Sequence, residues 1–582
     1  MDPDKVLQPP HGLYSNFVET GEHGEIVNSL WGQVPVNLME AHKIAASLRK
    51  DFGAAPDGVE ELKKAMKHQM RGWGILTSRV EESIDRIEGG VMEAGQQPMC
   101  LGGPSLILNK VACARKLCDI GDPGRFVPLY FAADYDGVQN ELLNIRVPSP
   151  SPSGLLISLP AEAGLSGSPI FELSNPPEAW FRKTMERIRG NYRGLLKGAE
   201  RDVREGKLRN LDHAVTILKN AYYSSENVSE WSTKVLGSLM NVEADLGVPI
   251  LAFSMPGFRP LFQPGYELLL SEPNRSRFIE ASNRAAEVLE GAGYRPQIGP
   301  RTEDYVPFFL ECMNDPCRRK RIELKYRREP GMSTARVAGK CPSCGEDYAF
   351  SFEAHRPDLT EVADWISPRV DSRQVVVDSV IPVLCHVGGP GEASYYAEVI
   401  PAVRSLKIPF PIFVRYTRTF YNTTWNEMYA EGLKKAGQPT IMNEGLFSAL
   451  GRWVEARNAR NPDKLVEAHS EIRRNIVSTY NGLLEKSHAL DEEISAIKEG
   501  LRSPGNRRAL IRELRGKQGR SRAVNLYLSS AFGRFSHERF GQEVSWSWLD
   551  LAAEVGVGDL LGVFLRQYNE HTPISSTFFV NL

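Results

Sequence analysis

The stretch from Gly95 to Lys110, GQQPMCLGGPSLILNK, constrains the fold more than any other part of the chain. The run before it, Val91 to Ala94, is short and mostly apolar, and Gly95 lets the chain leave a buried strand through conformations that a β-carbon resists. Gly102 and Gly103 repeat that freedom, and Pro104 suits the first position of a helix, where its missing N–H costs nothing. Leu106, Ile107, Lys110, Val111 and Ala114 then follow at helical spacing. The pattern is strand, glycine-rich turn, helix. Free N–H groups in such a first turn favour a phosphate or carboxylate, and Lys110 would add a positive charge. The plainer alternative is a tight turn whose glycines serve only packing.

The same order recurs later. Phe126 to Ala133 is a second apolar run, ending at Asp134-Tyr135-Asp136, and with the helix before it this is a βαβ signature. Val248 to Phe253, Tyr305 to Leu310, Val375 to His386 and Pro411 to Arg415 also read as strands, and Arg277 to Glu290 and Glu392 to Leu406 as helices. His386-Val-Gly-Gly-Pro-Gly-Glu392 forms a second strand, turn and helix start. In an open parallel sheet, ligands gather at the carboxyl ends of strands, so both glycine turns and the aspartates at 134 and 136 are expected to be neighbours. Gly95, Gln96, Gln97, Gly103, Pro104, Ser105, Gly388, Gly389, Pro390, Gly391 and Glu392 are the candidate anion-binding or substrate-binding residues. Arg415, closing the FPIFVR run, could clamp a carboxylate with two prongs. Asp134, Asp136 and Lys110 are the catalytic candidates; Glu392 as a simple cap, His386 as a structural imidazole and the aspartates as solvated strand ends are the plain readings.

A chain of 582 residues outgrows one hydrophobic core, so roughly three or four structural units are expected. The units predicted are a helical region over 1–90, a parallel α/β core over 91–311 with a helical insertion at about 171–246, a ribbon over 312–350, a return to the core over 351–423, and a helical coiled-coil region over 424–582. In the last, Ile476, Tyr480, Leu483, Ser487, Leu490, Ile494, Ile497 and Leu501 alternate four and three apart, a seam fit for a hairpin or a homodimer contact. Lys+Arg of 70 against Asp+Glu of 72 leaves no global field toward nucleic acid or a membrane surface. No apolar run approaches the ~20 residues of a membrane span, and the start MDPDKVLQPPHG is not a secretory signal, so a cytoplasmic protein is expected.

Eight cysteines are too few for a disulfide scaffold, and four make a pattern of their own: Cys312-x4-Cys317, then 23 residues, then Cys341-Pro-Ser-Cys344. Two close thiolate pairs are what a four-sulfur zinc site requires, and with every position filled by sulfur the metal would be structural. Cys113 and Cys118 read as buried apolar thiols, whereas Cys100 lies inside the turn, where a helix start can lower a thiol pKa, but no paired base is identifiable for it as a nucleophile. Arg318, Arg319, Lys320, Arg321, Lys325, Arg327 and Arg328 form a basic run beside the metal pattern, and a second lies between Arg502 and Arg522. Either a phosphate-binding patch or a solvated face would read this way.

Taken together, GQQPMCLGGPSLILNK, the strand ending in DYD, HVGGPGEASYYAEV and PFPIFVRYTRTF resemble the bacillithiol-biosynthesis cysteine-adding enzymes, the BshC family. The resemblance implies a Rossmann-like core similar to class I aminoacyl-tRNA synthetases and a coiled coil used in dimerisation. It also implies a ligase that joins cysteine, or a similar amino acid, through its carboxyl group to the amine of an amino-sugar conjugate, glucosaminyl malate. ATP or ADP would accompany such chemistry, because a free carboxylate is a poor acylating agent. The chain departs from the family pattern at Ala133 and Tyr135, where glutamate and histidine are usual, and at Leu106 and Asn109, where tyrosine and histidine are usual; the ribbon is also an addition. The competing expectations are a zinc-ribbon RNA-associated protein related to class I synthetases and a non-catalytic binding scaffold.

Overall fold

The structure, a computed structural model, describes residues 24–53, 57–122, 124–149, 154–160, 164–425, 478–501, 507–527, 542–574 and 577–582, with scattered residues between 431 and 471. Its centre is a sheet of five parallel strands: β1 (Val91–Gln96), β2 (Val127–Ala132), β3 (Ile250–Ala252), β4 (Val383–Gly388) and β5 (Ile412–Arg415). Their spatial order is β5-β4-β1-β2-β3, which read from the other edge is the 3-2-1-4-5 order of a Rossmann sheet. Parallel neighbours need a crossover, and helix α1 (Leu106–Asp119) supplies it between β1 and β2, helix α2 (Pro390–Arg404) between β4 and β5. All six residues of β2 and all six of β4 are buried, as expected of strands covered on both faces.

Before β1, helices Leu38–Leu48, Val59–Gly72 and Ser78–Ile84 pack on this core. Val59, Leu62, Met66 and Met70, spaced three and four apart, form the buried stripe of the second. The helices Glu178–Leu195, Arg201–Tyr223 and Val228–Gly237 lie between β2 and β3 in the chain. Among the described residues no helix is long and apolar enough to cross a membrane.

Two expected strands turn out otherwise. Only Val383–Gly388 of the run Val375 to His386 is extended; Arg373–Asp378 is a helix whose Val375, Val376 and Val377 are buried. A short run of buried valines reads the same in either state, because periodicity cannot separate them. The strand near Tyr305 to Leu310 is Phe308–Glu311, and it leaves the central sheet to pair antiparallel with Ile366–Pro368 and Arg321–Glu323. The ribbon is a second antiparallel sheet of Lys325–Arg327, Thr334–Lys340 and Asp347–Glu353.

Toward the C-terminus, helices Ser478–Gly500 and Arg507–Tyr527 run antiparallel side by side, joined by Ser487 Oγ to Asn525 Oδ1 at 3.0 Å and Lys517 Nζ to Glu493 Oε2 at 2.5 Å. Leu483, Leu490, Ile494 and Ile497 of the expected seam are buried, while its Ile476, and Arg502 of the second basic run, lie outside the described residues. The region is not wholly helical. Strand Thr577–Asn581 pairs in parallel with Arg418–Asn422, and the segment around Trp546 and Trp548 returns to the start of α1.

Candidate functional site

The switch in strand order falls between β1 and β4, whose following helices leave in opposite directions and open a crevice at their carboxyl ends. A cavity of about 660 Å³ occupies it. Gly95, Gln96, Gln97 and Lys110 form one wall, Gly389, Gly391 and Glu392 another, and Asp136 a third. The two glycine motifs therefore do face each other. Gly95 lies inside β1, and its missing side chain is explained by close approach: a β-carbon there would sit 3.2 Å from the Phe131 carbonyl oxygen. A larger groove, about 1660 Å³, is lined by helix Asn274–Gly291 and the ribbon, but its arginines are engaged: Arg275 pairs with Glu272, Arg301 with Asp371, and Arg328 donates to the Met332 carbonyl.

One polar chain links the walls of the cavity. Arg321 Nη1 lies 3.5 Å from Asp136 Oδ1, and Gln97 Nε2 donates to Asp136 Oδ2 at 3.0 Å. Gln96 Nε2 donates to Gln97 Oε1 at 2.9 Å, and Lys110 Nζ donates to Gln96 Oε1 at 3.0 Å and to the Gly95 carbonyl at 3.1 Å. Lys110 Nζ then meets Glu392 Oε2 at 2.5 Å. His386 places Nε2 3.4 Å from Glu392 Oε1 and Nδ1 2.9 Å from Glu93 Oε1, and Arg373 Nη1 donates to that same Glu93 oxygen at 2.9 Å. Burial opposes ionisation of Glu93 and Glu392. It is more than offset by Arg373 and His386 for Glu93, and by Lys110 and His386 for Glu392, and each carboxyl is held down at about 2.

Several expected site residues stand elsewhere. Asp134 is fully buried: its carboxylate accepts the backbone N–H groups of Phe253 and Ser254 and the hydroxyls of Ser254 and Ser229, tying the end of β2 to the end of β3. Burial pushes its carboxyl up to about 6 despite those bonds. Gly103, Pro104 and Ser105 are buried beneath the returning C-terminal segment and do not border the cavity: the Ser105 N–H donates to the Trp546 carbonyl, and Pro104 bridges Ser547. For Gly102 and Gly103, both with positive φ, the packing explanation holds, since β-carbons there would press on Val235 and Ile107. The expected anion site at the start of α1 is thus covered, and Lys110 is committed to three partners instead of waiting as an anion ligand. Arg415 and Gly388 are buried in their strands, and Pro390 opens α2. Cys100 is a buried thiol whose ionisation burial opposes, so it is no nucleophile.

Other cavity residues escaped the sequence. Arg373, Tyr395, Tyr416 and Arg418 line it. Glu93 had a signal: a glutamate inside the buried run Val91 to Gly95 requires a partner. Asn109 also leads somewhere unexpected, donating to Glu543 Oε2 at 2.9 Å and accepting from the Tyr568 hydroxyl at 2.8 Å.

In the ribbon, the sulfurs of Cys312, Cys317, Cys341 and Cys344 all lie within 4.8 Å of one another. Cys312 and Cys344 are 3.8 Å apart and Cys341 and Cys317 3.9 Å, which suits a metal ion. A tetrahedron with metal–sulfur bonds of ~2.3 Å has edges of about 3.8 Å. The adjoining cations turn inward: Arg318 donates to the Glu172 carbonyl, Arg319 to Glu311 at 2.6 Å, Lys320 to the Gly164 carbonyl at 2.8 Å, and Arg321 meets Asp136. These four are not a phosphate-binding face. Arg507, Arg508, Arg512, Arg515 and Arg520 of the second run are exposed.

The family profile described as bacillithiol biosynthesis BshC, N-terminal Rossmann-like domain matches residues 181–416, from the inserted helices through the ribbon and the second glycine turn to the end of β5. Over those residues the chain is similar to the BshC family. Relatives carrying the name "Putative cysteine ligase BshC" include one from Solibacter usitatus, 24% identical over 391 residues that cover 65% of this chain and 62% of the relative. One from Desulforamulus reducens is 23% identical over 343 residues, 57% of this chain and 55% of the relative. One from Halalkalibacterium halodurans is 26% identical over 238 residues, 40% of each. The chain thus spans at most about three fifths of the length of these curated relatives.

Proposed function

We propose that the cavity at the switch point is the active site of a carbon–nitrogen ligase that joins cysteine, through its carboxyl group, to the amino group of an amino-sugar conjugate. The observation that carries this reading is the pairing of opposite charges around one cavity, with Glu392 on the α2 wall and Arg373 and Arg418 also lining the space. At about 660 Å³ it falls within the ~300–1,000 Å³ usual for small-molecule sites. The names of the relatives favour the same chemistry.

In this proposal each residue has one task. Glu392, with its carboxyl held near 2, stays anionic and is too weak a base to take a proton, so it receives a substrate ammonium. Asp136, on the facing wall, takes the proton that the attacking amine must lose. Lys110 holds Glu392 and Gln96 in place and so shapes the wall without touching the anion. Gln97 fixes Asp136, and Arg418 meets the carboxyl of cysteine or of the acceptor. ATP is proposed as co-substrate on chemical grounds, since the carboxyl must be activated before amide formation; no residue is assigned to it. Zinc is proposed for the four cysteines, where thiolate donors suit it and leave no open position, so it supplies structure and takes no part in the reaction. The antiparallel helices are proposed to mediate homodimer contact.

The test is incubation of the full chain with cysteine, ATP and glucosaminyl malate, with mass-spectrometric detection of the amide. Product formation that falls at least ~100-fold in Asp136→Asn is expected for a general base. Absence of any product, together with no thermal shift from cysteine, would overturn the reading and favour a non-catalytic scaffold.

A further inference from the structure

We propose that Arg321 is a positioning residue through which the four-cysteine knuckle holds Asp136 in the cleft, so that metal bound to the cysteines sets the geometry of the ligand-binding wall. This rests on the reading of the cavity as a substrate site.

The connection is short and is built from both backbone and side chain. Cys312 and Cys317 bracket a turn that closes when the Cys312 N–H donates to the Lys320 carbonyl at 2.9 Å and the Lys320 N–H to the Cys317 carbonyl at 3.1 Å. Arg318 and Arg319 hold φ of 49° and 50°, the left-handed region that side chains with a β-carbon disfavour. Two such residues in succession persist only when the surroundings enforce them. The cations leaving this turn enforce it from one side. Arg318 and Lys320 donate to carbonyls of the 164–172 loop, and the Arg321 N–H donates to the Gly167 carbonyl at 3.0 Å.

That loop in turn carries the end of β2. The Val138 N–H donates to the Ser168 carbonyl at 2.9 Å, and the Ile170 N–H to the Asp136 carbonyl at 2.9 Å. The Arg321 guanidinium completes the link: it stacks 4.0 Å over the Phe309 ring, donates to the Pro368 carbonyl at 3.4 Å and pairs with Asp136. Asp136 continues through Gln97 and Gln96 to Lys110 and Glu392. A turn fixed by two metal ligands therefore ends, four residues beyond Cys317, on a carboxylate of the cleft. Without metal the four sulfurs lose the attraction that holds the two turns together, and thiolates so close repel.

The test compares the zinc-loaded protein, the same protein after chelation, and Arg321→Met and Arg321→Lys proteins that retain zinc. Hydrogen–deuterium exchange is followed over 95–97, 134–138 and 164–172, and cysteine affinity by calorimetry. Chelation is expected to speed exchange at 134–138 and 164–172 by at least ~10-fold. Arg321→Met, with its zinc content unchanged, is expected to speed exchange at 95–97 and 134–138 and weaken cysteine binding at least ~10-fold, while Arg321→Lys recovers part of both. If chelation unfolds the chain, the zinc-retaining Arg321 variants decide. Arg321→Met with unchanged exchange at 134–138 overturns the coupling, as does chelation that loosens only the ribbon strands 334–353. If neither protein binds cysteine but the exchange effects appear, the coupling stands and the substrate assignment falls.

Discussion

Lys110 Nζ and Glu392 Oε2 lie 2.5 Å apart, joining the N-terminal parts of two crossover helices through residues 282 apart in the chain. The lysine side chain is 3% exposed and the glutamate 22%, so the pair closes the base of the cleft. Removing one partner of a pair this buried leaves an uncompensated charge. Lys110→Met should therefore destabilise the protein by about 3 kcal/mol, and Glu392→Gln by a similar amount. The double variant should lose clearly less than the sum. Urea unfolding of the four proteins tests this; strictly additive losses would show that the two side chains do not depend on each other.

The buried Glu93 and the half-buried Glu392 carboxylates set the acid limit of the fold. Each has a folded-state value of about 2 against an ordinary 4.5, so each contributes stability that is present above about 4.5 and is lost as pH falls toward 2. Glu93→Gln should cost about 3 kcal/mol at pH 7, where Arg373 would be left without its anion, and the difference from the parent should shrink steadily between pH 4.5 and 2. Denaturant unfolding at pH 7, 4 and 3 measures it. A gap independent of pH would mean that packing, not charge, is what Glu93 contributes.

What the sequence made legible was local. The strand, turn and helix order around Gly95 and Gly388 placed both motifs at the switch point, because turn chemistry and apolar periodicity are written within about 15 residues. The cysteine spacing likewise placed four sulfurs together. What stayed hidden depends on contacts between distant segments. Nothing near Gly102 shows that Trp548 donates to the Leu101 carbonyl at 2.8 Å and that the C-terminal segment covers the start of α1, so an anion site was expected there. Asp134 and Asp136 look alike in DYD, yet Ser254, 120 residues onward, claims the first and leaves the second to the cleft. Arg318 to Arg321 read as a surface run because their carbonyl and carboxylate acceptors lie mainly on other segments.

The four-cysteine site should bind one tetrahedral metal ion per chain. Protein prepared without chelator should carry close to one zinc by elemental analysis, and cobalt substitution should give the visible spectrum of a tetrathiolate site. Cys341→Ser should lower metal content and the unfolding temperature together, because binding free energy at such a site is folding free energy. A full-strength melting transition in metal-free protein would remove the structural role.

Glu543 carries a pH dependence of opposite sign. It is fully buried beside the cleft-lining Arg418 and Tyr416, and one carboxylate oxygen takes the Asn109 amide while Oε1 has no hydrogen-bond partner among the described residues. Burial pushes its carboxyl from 4.5 up to about 7, against the lowering effect of the Arg418 charge and the Asn109 bond. A group whose folded value is raised contributes stability that is full below about 4.5 and is lost as pH rises through 7. Glutamine mimics the protonated acid and does not ionise. Glu543→Gln should therefore match the parent in stability near pH 5 and exceed it at pH 8.5, by up to about 3 kcal/mol. Thermal unfolding of both proteins across that range gives the answer. A Glu543→Gln protein that is equally weakened at both pH values would mean that the carboxylate stays ionised and that Arg418 needs its charge.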